Sequence, residues 1–166
     1  MNKAFTLIEF LIYIGIVGIV LIVAGAIALN ILFDKAKLTA IEEVNQNARF
    51  VMEKIAERVR NAETINSPAQ GNFASSLSLK MSDANLDPTV FDLSDGIVRI
   101  QEGSGLPINL TSDEITVANF QFTNVSYTDT PGAIRIQATM RFNSQSGRQE
   151  YELEKNYYST ANIRKK

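Results

Sequence analysis

Between Phe5 and Phe33 only two side chains strongly resist hydrocarbon, Glu9 and Asn30. No other stretch limits the fold of the chain so severely. The run from Phe10 to Phe33 is apolar apart from Tyr13, Asn30 and a few glycines. It exceeds the roughly 20 residues that cross a bilayer core as a helix. In hydrocarbon every backbone polar group must find its partner inside the segment, so a helix is expected. A secretory signal peptide would have an apolar region of about 7–15 residues and a small-residue cleavage site. This run is longer and lacks a clean site, so it is expected to stay on the mature protein. Lys3 precedes the span, while Asp34, Lys35 and Lys37 follow it. Counting positive flanks therefore gives no strong orientation.

Beyond Asp34 the composition changes to that of a soluble domain rich in Ser, Thr, Asn and Gln. The 166 residues suffice for one domain. A net charge of −2 argues neither for nor against nucleic acid. The chain has no cysteine, which excludes a disulfide framework and thiolate metal sites. It has no histidine either, which removes the commonest general base and metal ligand.

Glu9 is the odd residue of the apolar segment. A carboxylate at the centre of a membrane helix costs about 2.5–3.5 kcal/mol on insertion scales, and less near an end. Two readings stand side by side. Glu9 lies near the start of the run and reaches the interface by extending its side chain. Alternatively, it awaits a cation inside the bilayer, such as a free amine at Phe5 of this or a neighbouring chain.

The residues Lys3-Ala4-Phe5-Thr6-Leu7-Ile8-Glu9, leading directly into an apolar helix, resemble the processing and methylation motif of type IV prepilins and pseudopilins. The resemblance implies a short basic leader, residues 1–4, removed on the cytoplasmic side by a membrane peptidase that cuts between Ala4 and Phe5. It implies N-methylation of Phe5 and a role in subunit assembly for Glu9, with Thr6 beside it. The implied partners are other pilin or pseudopilin subunits, the prepilin peptidase and methyltransferase, an inner-membrane assembly platform and the lipid bilayer; no cofactor is implied. The implied location is the cytoplasmic membrane, single-pass, with the N-terminus cytoplasmic, and a pilus or pseudopilus after assembly. Two positions depart from the pattern. Ala4 stands where the family usually has glycine. Ala26 stands where many major pilins place a helix-loosening proline, and Gly15, Gly18 and Gly25 supply weaker breaks.

The helical signal continues past Phe33. Ile41, Val44, Ala48, Val51, Ile55, Val59 and Ala62 recur at steps of three and four, one face of an amphipathic helix. Glu42, Glu43, Asn45, Glu53, Lys54, Glu57 and Arg58 occupy the rest. The pattern predicts one helix from about Phe5 to about Ile65, ended by Pro68 and Gly71. Residues 5–33 form its membrane or filament-core part and 34–65 its amphipathic part. The stripe from Ile41 to Ala62 is read as covering the sheet of its own domain in preference to neighbouring subunits.

Residues 66–166 are predicted to form an antiparallel sheet domain. Residues 66–76 read as a loop. Leu77–Met81 and Gly96–Ile100 read as strands, with a turn over Glu102–Gly105. Ile115–Phe122 and Val125–Tyr127 alternate with phase slips near Asn119 and Val125, each predicting a bulge or break. Ile134, Ile136, Ala138, Met140 and Phe142 alternate strictly. Asn143–Gly147 reads as a turn. A last strand carries Tyr151, Leu153 and Tyr157 beside Glu150, Glu152 and Glu154. The fold class is α+β, a long helix packed on an antiparallel sheet. The stretch from Asp95 to Phe142 is similar in pattern to minor pseudopilins of the J or W type.

No chemistry-bearing motif emerges, and the chain is expected not to be an enzyme: no Ser-His or Cys-His pair, phosphate loop, GxGxxG or HExxH occurs. Asp83, Asp87, Asp92 and Asp95 are weak candidates for a Ca²⁺ site in a loop-rich stretch. Their ordinary role in turns is the favoured reading. Nucleic acid is a partner that the family permits. The basic tip Arg164-Lys165-Lys166 and the arginines in or near strands, Arg135, Arg141 and Arg148, do not form an aromatic-interleaved patch in the sequence. Two functional classes follow: a structural subunit of a pilus, secretion pseudopilus or DNA-uptake filament, and a singly anchored extracytoplasmic binding module that does not assemble.

Overall fold

A computed structural model of the chain describes residues 6–143 and 153–164. Its elements are a helix α1 (Leu7–Asn61) and the strands β1 (Ala62–Ser67), β2 (Phe73–Ala74), β3 (Leu77–Met81), β4 (Thr89–Ser94), β5 (Ile97–Glu102), β6 (Ile108–Asn109), β7 (Ile115–Asn124), β8 (Ala133–Phe142) and β9 (Glu154–Asn162). The fold is α+β, as the periodicities predict. By its contacts the chain divides into two units, residues 1–39 and residues 40–166.

In the second unit, the helix face predicted from the three-and-four spacing is the buried one. Val44, Ala48, Val51, Ile55 and Val59 have no exposed surface, and Ala62 is 6% exposed. They share one core with Leu77, Leu79, Phe91, Val98, Phe122, Ile134, Ile136 and Met140 from the strands. The stripe therefore covers its own domain. Full burial of a Val or Ile side chain of this stripe stabilises by roughly 1.5–3 kcal/mol.

The helix stops at Asn61, short of the expected Ile65. Arg58 and Arg60 stand in its last turn, where the helix dipole favours cations. Ala62 opens β1, which pairs antiparallel with β3. The apolar pattern could not register the change, because Ala62 is buried on either course of the backbone. The β-branched pair Thr64 and Ile65 suits the strand.

All strand pairs are antiparallel, but they form two sheets in place of one. The five-stranded sheet has the order β1-β3-β4-β5-β6 and the four-stranded sheet β2-β7-β8-β9. The Val117 N–H donates to the Gly96 carbonyl at 2.8 Å, joining β7 to the turn before β5. Strand β4 lies where the sequence reads as loop: Asp92 within it, with Asp87 and Asp95 on either side, masks the burial of Thr89 and Phe91. The stretch 66–76 is likewise partly strand, at the end of β1 and in β2. The predicted slip near Asn119 is a register shift between Val117 and Asn119, and the one near Val125 marks the end of β7. The strict alternation of β8 is matched by alternating burial. Strand β9 runs later than expected, to Asn162; Glu150, Tyr151, Glu152, Arg148 and residues 144–147 of the predicted turn lie outside the described residues.

Candidate functional site: the apolar segment and Glu9

In the first unit the helix is apolar and exposed. Leu7 is 80% exposed, Ile22 75% and Leu32 62%. Among the described side chains from Thr6 to Lys35, Gly18 is the one that is half-buried and the rest are exposed. This helix is long and apolar enough to cross a membrane, with none of its apolar window buried within the chain. Hydrocarbon surface of this extent is stable only when lipid or other protein covers it.

Ala4 and Phe5, the predicted cleavage and methylation residues, lie outside the described residues. Thr6 and Glu9 are placed, and the structure brings them together. The Thr6 N–H and hydroxyl both donate to Glu9 Oε2 at 3.4 Å, and the Glu9 N–H donates to Thr6 Oγ1 at 3.4 Å. The first helical bond, Phe10 N–H to the Thr6 carbonyl, is 3.2 Å. This reciprocal arrangement is a capping box, which satisfies otherwise orphaned N–H groups at a helix start. Its sequence signal, Thr-x-x-Glu before an apolar run, is present at Thr6-Leu7-Ile8-Glu9. Glu9 thus has a local role at the helix start beside the interfacial or intersubunit one expected from its charge. The bonds are long, and a carboxylate has more acceptor sites than these two, so Glu9 retains capacity for a cation.

The four aspartates do not converge, and among the described residues no group of three acidic side chains is placed to hold a metal. Each has a local role. Asp83 Oδ1 accepts from the Asn85 N–H at 2.9 Å, and Asp87 Oδ1 accepts from the Met81 N–H at 2.9 Å. Asp92 forms a two-pronged pair with Arg99 across β4 and β5, at 2.9 and 2.7 Å. Asp95 occupies a left-handed turn position, φ 52°. A cleft of about 440 Å³ lies beside Glu63, Ser82, Asp129 and Arg164. Its mixed charges form no recognisable acid–base pair.

No family model matches the chain, and no curated protein or solved structure matches it. What stands is the architecture: a long apolar N-terminal helix and antiparallel sheets, which is pilin-like.

Two links between α1 and the sheets were not legible in the sequence, because their partners are far apart along the chain. Arg58 donates to Glu102 Oε1 on β5, through Nε at 2.7 Å and Nη2 at 2.6 Å. Asn45, assigned from periodicity to the polar face, is half-buried; its Oδ1 accepts from Tyr157 Oη at 2.8 Å and Lys155 Nζ at 2.9 Å. Burial raises the pKa of the Tyr157 phenol above its ordinary value.

Proposed function

We propose that the protein is a minor pilin or pseudopilin, a structural subunit held in the cytoplasmic membrane until an assembly machine draws it into a filament. The observation that carries this reading is the contrast along α1. Residues 44–59 bury their apolar face in their own domain, whereas Leu7 to Phe33 leave theirs open on all sides. A helix buried within one chain has no use for the second property; a subunit that exchanges lipid for neighbouring subunits does.

In this reading a peptidase cuts between Ala4 and Phe5, and Phe5 becomes the methylated N-terminus. The cut leaves the Thr6–Glu9 cap intact, since that cap uses only groups downstream of it. Glu9 then presents its carboxylate to the Phe5 ammonium of an adjacent subunit. Without that cation, a carboxylate in a water-free helix bundle bears a desolvation cost of several kcal/mol. Misplaced subunits are thereby excluded, and correct register is the one that neutralises the charge. The sheet domain lies outside the membrane.

The test is Glu9→Ala, followed by membrane fractionation and by analysis of sheared filaments. The expected outcome is normal membrane insertion with incorporation lost or out of register. Wild-type incorporation of Glu9→Ala refutes the charge mechanism.

A further inference from the structure

The face of the four-stranded sheet turned away from the core has an unusual makeup. Cross-strand register defines it row by row. Phe73, Thr123, Arg135 and Thr160 lie side by side on β2, β7, β8 and β9. The next row is Gln121, Gln137 and Tyr158, and the one after is Asn119, Thr139 and Asn156. Thr116, Arg141 and Glu154 close the series. A sheet face that merely solubilises a domain is commonly supplied with Lys and Glu. Here, among the described residues, there is no lysine and a single carboxylate, Glu154.

Three features point to a ligand. Carboxamides occupy adjacent strands, and each offers two donors and an acceptor in a fixed plane. Two rings stand open on the same face, Phe73 at 69% and Tyr158 at 67% exposure, although neither supports the core. Arg135 and Arg141 are both exposed, and neither makes an ion pair among the described residues. They lie six positions apart on one straight strand, about 20 Å.

We propose that this face binds an acidic glycan. Hydroxyl-rich sugars suit the carboxamide rows, their apolar C–H faces stack on Tyr158 and Phe73, and widely spaced carboxylates meet the two guanidinium groups in two-pronged pairs. Charge spacing decides against single-stranded nucleic acid. That polymer carries a phosphate on every nucleotide, and its binding grooves are correspondingly rich in cations. Two arginines about 20 Å apart, one of them opposite Glu154, match a sparser charge.

The experiment uses the full chain in lipid nanodiscs. Fluorescently labelled hyaluronan and unsulfated chondroitin octasaccharides, which carry one carboxylate per disaccharide, are titrated in, with neutral cello-oligosaccharide and an oligothymidylate as comparisons. At least one acidic glycan is expected to bind saturably, and more tightly than either comparison. Arg135→Gln and Tyr158→Ala are each expected to weaken it by roughly five- to tenfold. Glu154→Gln tightens binding, and Lys80→Gln on the other sheet leaves it unchanged. Far-UV circular dichroism verifies that each variant is folded. Failure of both acidic glycans to bind, indifference to Arg135→Gln and Tyr158→Ala, or tighter binding of the oligothymidylate overturns the proposal.

Discussion

Replacing Ile55 and Ile22 separately by alanine tests whether the two parts of α1 do different work. Both changes remove the same atoms from a helix and leave a good helix former. Ile55 has no exposed surface and packs among strand residues of both sheets, whereas Ile22 is 75% exposed. Ile55→Ala therefore loses transfer energy and leaves a cavity, about 2–5 kcal/mol in well-packed cores. For a domain of this size a loss of about 3 kcal/mol lowers Tm by roughly 10 °C. Ile22→Ala has no packing to lose within the chain, and its effect on unfolding of the sheet domain is within about 0.5 kcal/mol. The assay is thermal unfolding in detergent micelles, followed by near-UV circular dichroism of the tyrosines. Equal shifts for the two variants, or a small shift for Ile55→Ala, refute the division of the helix.

Two further outcomes follow from the sheet domain. Gly103 has φ 54°, and a Cβ there would collide with the Asn85 carbonyl oxygen; Gly103→Ala is expected to destabilise by about 1–3 kcal/mol, read by urea unfolding at constant m-value. Tyr157, whose phenol is held neutral by burial, is expected to titrate above the ordinary value near 10 in ultraviolet difference absorbance. Its contribution to stability is fully present below the unfolded value and declines as pH rises through the higher folded one. Tyr157→Phe removes that high-pH step.

Much of this fold is legible in the sequence wherever burial follows a single period. The helix stripe from Val44 to Val59 and the strict alternation of β8 each report one buried face, and each is found as expected. The same signal fails where two periods agree. Ala62 fits both the end of the helix and the start of β1, so the helix reads a turn too long. It fails again where polar side chains are bound locally: Asp92 looks like loop until Arg99 is seen opposite it. The division into two sheets depends on which strands pair, and that is decided by long-range packing which no local pattern carries. For the candidate site, the apolar segment and its lone carboxylate are plain in the sequence. The Thr6–Glu9 cap is legible too, since Thr-x-x-Glu before an apolar run is the ordinary signal of a helix start.

Under the proposed function, Phe5 becomes a processed end from which the apolar helix is handed to a filament. Mass spectrometry of the protein purified from its native host addresses this directly. The account predicts an N-terminus at Phe5 carrying one methyl group, with residues 1–4 absent. An N-terminus at Met1, with Phe5 unmodified inside the chain, contradicts it.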